Sequence, residues 1–200
     1  MKAPAGRACN RPMRIVLASE SLSRRHALDL IGVSYDVRPS AIDEKAIRDS
    51  DPIALTRKLA EAKAYKIAEE IRDAVIVAGD AVVTKNGRIY EKPRDLKEAA
   101  EFLRELSGGD LEFVTSLVVL RPETGKILST VEVARIRFRS LTDREIHDYV
   151  ASYPVLGCAG AFEGDGVLRF ADRISGSYNF LTAIPVSRLI VFLREQGVAI

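Results

Sequence analysis

The sequence predicts an α/β fold built around one central sheet. Short apolar runs typical of buried strands alternate along the chain with amphipathic stretches typical of helices. The chain has 200 residues, 47% of them hydrophobic and 29% charged, which suits one globular domain with a sizeable core. We assign that domain to residues 13–200, because residues 1–12 are basic and rich in small residues, as in a disordered N-terminal extension.

The first half of the chain carries clear start and stop signals for helices. Gly32 ends the first helix, and Ser50-Asp51-Pro52 combines an N-cap with a proline in the first turn of the second. The predicted elements are a strand at 14–18, a helix at 24–31, a strand at 33–38, a helix from Pro52 to about 71, and a strand at 75–84.

The second half begins with a hairpin signal at Asn86-Gly87 and continues with two capped helices. Asp95 caps one helix, and Thr142 with Glu145 forms the capping box of the other. The predicted elements are a returning strand at 88–90, a helix from 96 to about 107, strands at 111–120 and 126–138, a helix from 142 to about 151, strands at 158–162 and 167–174, and a closing helix at 185–196. Which strands run parallel stays open.

Asp80 interrupts the apolar strand at 75–84, directly after Gly79. A buried ionised carboxylate costs several kcal/mol (roughly) unless a cation, a metal or hydrogen-bond donors compensate it. The residue is therefore a candidate for a functional site. The structural alternative is an aspartate that caps a turn at the strand end, because Gly79 can bend the chain there.

A turn of hydroxyl residues follows the first strand and leads into Arg24 and Arg25. Free backbone N–H groups at a helix N-terminus attract anions, and two arginines there oppose the usual preference for acidic side chains. Guanidinium groups match phosphate oxygens, so a phosphate or polyphosphate is a candidate partner. A solvated basic helix start with serine capping is the alternative.

Lys63 lies on the apolar face of the second helix, four residues from both Leu59 and Ile67. Turned inward it balances the charge of a buried Asp80, although a lysine also snorkels out from such a face. Asp43-Glu44 offers carboxylate oxygens to a hard divalent cation. The alternative, which is more common for adjacent acids in a loop, is that both side chains are simply solvated. Lys92, followed by a proline, reads alone as an exposed lysine.

Composition and missing motifs exclude several functions. A net charge of +2 gives no field for nucleic acid or for a membrane surface, and no apolar stretch nears the ~18 residues of a membrane span. Two cysteines without paired spacing and no secretory leader predict a cytoplasmic protein without a disulfide framework. Phosphate-loop, dinucleotide-binding, zinc-protease and serine-hydrolase motifs do not occur.

Together these segments resemble the Maf family of nucleoside triphosphate pyrophosphatases over residues 14–193. The matching blocks are Leu17-Ala18-Ser19-x-Ser21-x-x-Arg24-Arg25, Asp43-Glu44, Leu59-Ala60-x-x-Lys63-Ala64, Gly79-Asp80, Gly87 with Lys92-Pro93, Leu106-Ser107-Gly108 followed by Thr115, Ile146-x-x-Tyr149, Ala159-Gly160, and the last helix led by Pro185. The extra residue before the arginine pair and Cys158-Ala159-Gly160-x-Phe162 look most like the branch that acts on 7-methyl-GTP.

The resemblance implies a fold similar to inosine triphosphate pyrophosphatases, an elongated mixed sheet flanked by helices with a cleft between two lobes. It also implies hydrolysis of a nucleoside triphosphate to the monophosphate and pyrophosphate with a divalent metal, Mg²⁺ or Mn²⁺. In these roles Asp80 activates water, and Glu44 holds the metal or assists the base. The implied triphosphate ligands are Ser19, Ser21, Arg24, Lys63 and Lys92, with Arg25 either joining them or bracing the helix.

The positions that correlate with base choice in the family correspond to Ser23, Ala81 and Asp165. Ser23 offers no stacking surface and Ala81 no hydrogen bond, whereas Asp165 keeps an acid for a guanine edge. A homodimer is a further expectation from the resemblance. The alternatives from other classes are a nucleotide-binding regulator of growth or septation with little catalysis, and a phosphatase that releases orthophosphate.

Overall fold

The computed structural model describes residues 13–200, and the predicted extension at 1–12 lies outside the described residues. The predicted α/β class is confirmed: helices flank a mixed sheet. The strands are β1 (Ile15–Leu17), β2 (Asp36–Val37), β3 (Val75–Lys85), β4 (Arg88–Tyr90), β5 (Asp110–Arg121), β6 (Lys126–Phe138) and β7 (Ala171–Gly176). The helices are α1 (Leu22–Leu30), α2 (Pro52–Ala68), α3 (Leu96–Leu106), α4 (Asp143–Ser152), α5 (Gly164–Phe170) and α6 (Val186–Glu195).

The strand order is β2-β1-β3-β5-β6-β7, with β4 paired to β3. Strand β1 runs parallel to β2 and β3, because helices α1 and α2 supply the long crossovers that parallel pairing needs. The later pairs are antiparallel. Strands β3 and β4 are joined by the tight turn Asn86-Gly87, where both φ angles are positive (51° and 78°). The open question of parallel pairing is thus settled in favour of the first three strands.

The long strands β3 and β5 each contribute buried side chains to two large apolar cores. In one lobe the buried side chains come from β1, β3, α1 and α6, for example Leu17, Leu28 and Leu193. In the other lobe α3, α4 and α5 cover the far halves of β5 and β6, with Leu103, Ile146 and others buried. The junction of these two cores along β3 is where the cleft forms.

The strands predicted at 158–162 and 167–174 are largely wrong. Residues Ala159–Ala161 form a 3₁₀ turn in which Gly160 and Ala161 have φ of 67° and 63°, values that an extended strand does not contain. Residues 164–170 form α5, which buries Val167 and Phe170 three positions apart, a helical rather than a strand spacing. The strand β7 begins only at Ala171.

Other boundaries differ by a few residues. The strand predicted at 33–38 is reduced to the two residues of β2, and helix α2 ends at Ala68 rather than near 71. The capping box of Thr142 and Glu145 is present as predicted. Within the described range, no helix combines the length and apolar character that crossing a membrane demands.

Candidate active site

A cleft of about 940 Å³ opens between the two lobes. This volume lies in the range of small-molecule sites. Its lining comes from the turn after β1, the segment before α2, strand β3 and the segment between α4 and α5. The lining includes residues 18–24, 39–42, 153–159 and 162–164, together with Glu44, Lys63, Asp80, Ala81, Lys92, Leu96, Phe113, Phe180 and Ala183.

Asp80 lies near the middle of β3 and is only 7% exposed. It pairs across the sheet with Ser116, whose hydroxyl accepts a hydrogen bond from the Asp80 N–H (3.2 Å) and donates one to the Thr56 carbonyl of α2 (2.7 Å). Gly79 precedes it because a Cβ there would stand 2.5 Å from Ile184 Cγ2 and 2.7 Å from the Ser116 carbonyl oxygen. The pairing of β3 with Ser116, the contact of Ser116 with α2 and the close packing at Gly79 therefore fix the backbone that carries the Asp80 carboxylate.

Lys63 projects from the buried face of α2 and is 4% exposed. Its ammonium lies 2.6 Å from Asp80 Oδ1 and 2.9 Å from Glu44 Oε1. We call Asp80, Lys63 and Glu44 the charged cluster. The lysine compensates the buried carboxylate of Asp80, as the helical pattern predicts.

Glu44 begins a short 3₁₀ turn that the Asp43 side chain caps. Burial works to raise the pKa of Glu44, but the charge and hydrogen bond of Lys63, with the charges of Lys92 and Arg24, outweigh burial and leave this pKa below its ordinary value. Glu44 is therefore an anion at neutral pH. Lys92 is exposed on the cleft and reaches Glu44 through charge alone.

Arg24 extends from the first turn of α1 and is 8% exposed. Ser21 caps the helix, and the Arg24 guanidinium donates to Ser19 Oγ (3.1 Å) and to the Ala183 carbonyl (3.4 Å). Burial lowers the pKa of Arg24, while the charges of Asp80 and Glu44 raise it. The side chain keeps its charge, as arginine does, so the serine turn presents a fixed cation to the cleft.

The predicted site residues do not all reach the cleft. Asp80, Glu44, Lys63, Lys92, Ser19, Ser21, Arg24, Ser23 and Ala81 line it. Arg25 does not line the cleft, and its Nε is buried without a hydrogen-bond partner among the described residues. Asp165, in the first turn of α5, is exposed and does not line the cleft either, although its charge acts on Cys158.

Sequence reasoning missed Glu163 and the cleft-facing position of Cys158. Both line the cleft on the segment we call the 153–164 wall, which comprises residues 153–164. The Cys158 thiol lies 3.8 Å from Glu163 Oε1. Burial, together with the charge of Glu163, raises the pKa of the Cys158 thiol to about 12. The sequence feature that could have predicted this site is the acidic residue Glu163 directly after the apolar run 158–162.

The donor set at the charged cluster fits a magnesium-like cation that shares phosphate oxygens. Lys63 occupies one oxygen of each carboxylate, so Asp80 Oδ2 and Glu44 Oε2 have no protein donor in the described range. Residues 13–200 contain no group of three His, Cys, Asp or Glu side chains placed to hold a metal. Two carboxylates plus substrate phosphates is a common arrangement for Mg²⁺.

Comparison with known proteins gives consistent matches across the chain. A family model described as "Maf-like protein" matches residues 14–196. A dTTP/UTP pyrophosphatase of Aquifex aeolicus is 36% identical, with 92% of this chain and 95% of that protein covered. A nucleoside triphosphate pyrophosphatase of a Synechococcus strain is 37% identical, with 92% and 94% covered. The solved Staphylococcus aureus Ham1 protein overlaps 62% of this chain and 71% of its own, at 14% identity and a TM-score of 0.45.

Proposed function

The chain belongs to the Maf-like family, and from this premise we propose that it hydrolyses a nucleoside triphosphate to the monophosphate and pyrophosphate. The observation that carries the proposal is the charged cluster, in which Lys63 bridges Asp80 and Glu44 at 2.6 and 2.9 Å on the edge of a cleft. Curated relatives that cover more than nine-tenths of the chain are named for this activity.

Asp80 acts as the general base in this proposal. It accepts a proton from water as the water oxygen bonds to the α-phosphorus, and the bond from that phosphorus to the bridging oxygen breaks, so that pyrophosphate leaves. Lys63 donates a hydrogen bond to Asp80 and holds the carboxylate in one orientation. Arg24 and Lys92 bring further positive charge to the phosphates, where positioning and electrostatics do most of the work.

Asp80 and Glu44 would hold the divalent cation, Mg²⁺ or Mn²⁺, through the oxygens that Lys63 leaves unused. When bound, such a cation neutralises phosphate charge and lowers the pKa of a coordinated water. Ser19 and Ser21 supply the turn that fixes Arg24, and they offer hydroxyl groups to the triphosphate.

For the base, we propose a modified guanine nucleotide such as 7-methyl-GTP. Ser23 and Ala81 line the cleft with small side chains and leave room for a substituted base. The competing substrates are dTTP and UTP, for which the Aquifex and Carboxydothermus relatives are named. A cytoplasmic location and a homodimer remain predictions.

Product analysis tests the activity directly. Purified protein with Mg²⁺ or Mn²⁺ is incubated with 7-methyl-GTP, GTP, UTP, TTP and CTP, and the nucleotide product and pyrophosphate are quantified. Monophosphate and pyrophosphate in equal amounts support the proposal. Orthophosphate with a diphosphate product identifies a phosphatase instead, and tight nucleotide binding with neither product identifies a binding regulator.

A further inference from the structure

Glu163 is an acidic residue in the cleft that the proposed hydrolysis leaves without a role. It is half-buried and stands at the N-cap of α5, yet its side chain does not cap that helix. In the described range its carboxylate has one hydrogen-bond neighbour, the Cys158 thiol at 3.8 Å from Oε1. The thiol stays protonated, because its pKa is raised to about 12. Oε2 therefore remains to accept hydrogen bonds from an occupant of the cleft.

The surroundings of Glu163 differ from those of the charged cluster. The cleft lining outside the cluster is largely apolar and includes Phe113 and Phe162. Leu156 and Leu96 also line the cleft while 44% and 51% exposed, a state that a bound planar ring would relieve. A mostly apolar surface with a few polar groups, of which Glu163 is the acid on the 153–164 wall, is typical of a site for an aromatic base with a polar edge.

Lys92 lines the cleft together with Glu44 and Cys158. Its charge lowers the pKa of Glu44, and it also acts to lower the pKa of Cys158. Glu163 and Cys158 belong to the 153–164 wall, whereas Asp80 and Lys63 stand on β3 and α2. With the triphosphate at the charged cluster, the nucleoside extends past Lys92 toward the 153–164 wall.

We propose that Glu163 accepts the N1–H and N2–H hydrogen bonds of a guanine and thereby selects guanine nucleotides. This inference rests on the proposed pyrophosphatase function. A carboxylate has only acceptors, and guanine alone among the common bases places two adjacent donors on this edge. Uracil and thymine flank one N–H with carbonyl oxygens, while adenine and cytosine set an amine beside a ring nitrogen acceptor. A 7-methylguanine keeps the two donors and adds a positive charge.

The test compares kcat/KM for GTP and UTP in the wild type and in Glu163→Gln, with the monophosphate quantified. Glutamine presents one acceptor and one donor, which suits the N–H and carbonyl of uracil. We expect the GTP-to-UTP ratio to fall roughly 10- to 100-fold. Glu101→Gln, an exposed acid of α3 outside the cleft, is the matched control and should leave the ratio unchanged.

Several results of these kinetic measurements would overturn the proposed role of Glu163. An unchanged ratio in Glu163→Gln, or a wild type that prefers UTP to GTP, overturns it. So does a changed GTP-to-dGTP ratio with a constant GTP-to-UTP ratio, which assigns Glu163 to the ribose. ITP lacks the N2 amine, and the wild type should use it less well than GTP, a result independent of how the variant folds. If no nucleotide yields pyrophosphate, the proposed function itself fails.

Discussion

The two ends of the cleft are built from different kinds of structure. The charged cluster stands mainly on α2 and β3, and its lysine and aspartate are almost fully buried and paired. The 153–164 wall consists of two 3₁₀ turns and the start of α5, and Glu163 and Cys158 are half-buried. Packed regular elements hold charged groups in fixed positions, whereas turns accept changes of side chain without disturbing a core. On this difference rests our proposal that the cluster carries the chemistry and the wall the choice of substrate.

The largest effect is expected for Asp80→Asn, which tests whether the charged cluster carries the chemistry. Asparagine keeps the size of the side chain but cannot accept the proton, so pyrophosphate release should fall about 10²- to 10⁴-fold for every nucleotide, with the preference among bases retained. Steady-state kinetics on a nucleotide panel measures both quantities. Glu69→Gln, at an exposed acid after α2, is the control. A loss below tenfold would remove Asp80 from the role of base.

Lys63→Met tests whether the charged cluster is also a structural unit. Without the ammonium, the buried carboxylate of Asp80 loses its partner and half-exposed Glu44 adds a like charge nearby, so unfolding in urea at pH 7 should show a loss of about 3–5 kcal/mol. Lowering the pH toward 5 should reduce the loss, because the variant lacks the Lys63 charge and hydrogen bond that lower the pKa of Glu44, so this carboxyl takes up a proton at a higher pH than in the wild type.

Lys66→Met is the matched control for this variant. Lys66 lies on the same helix, but its pair with Glu69 (2.6 Å) is exposed to solvent, so its loss should be far smaller than that of Lys63→Met. Equal losses in the two variants would contradict a structural role for the cluster.

The sequence predicts the cluster better than the wall, for a physical reason. Asp80 in an apolar strand and Lys63 on an apolar helix face each violate a simple pattern, and a buried charge needs a partner of opposite sign. Their ion pair follows from those two violations. Ser116 was not predicted, because a small polar residue in a strand violates no pattern until the cross-strand register is known.

The wall was mispredicted because its backbone depends on tertiary contacts. Cys158-Ala159-Gly160-Ala161-Phe162 is apolar enough for a strand, but the positive φ at Gly160 arises where the chain packs on Val83, 2.8 Å from a Cβ placed there. In a strand, residues 163 and 165 point the same way. In the structure Glu163 is the extended N-cap residue that precedes α5 and lines the cleft, whereas Asp165 lies in the first turn of the helix and is exposed.

The alkylation rate of the Cys158 thiol tests the surroundings of the 153–164 wall without any substrate. With a pKa of about 12, only about one thiol in 10⁴ is ionised at pH 8, so alkylation by iodoacetamide should be slow and should rise tenfold per pH unit through pH 9.5. Glu163→Gln should accelerate it, because a charge that raises this pKa is removed. Peptide-resolved mass spectrometry follows Cys158 alone. A plateau near pH 8.5 would mean an ordinary exposed thiol.

The smallest effect concerns the segment that holds Arg24 from the other side of the cleft. Ala183, whose carbonyl accepts from Arg24 Nε, has a φ of 51°, a left-handed value that costs a residue with a Cβ about 1 kcal/mol. Ala183→Gly should therefore stabilise the protein by roughly 0.5–1 kcal/mol in urea unfolding, whereas Ala151→Gly in α4 should destabilise it by a similar amount. Destabilisation by both would show that the Ala183 backbone relaxes without strain.

Because the glycine also loosens the chain next to Arg24, a rise in KM without a fall in kcat would assign this segment to binding rather than to chemistry.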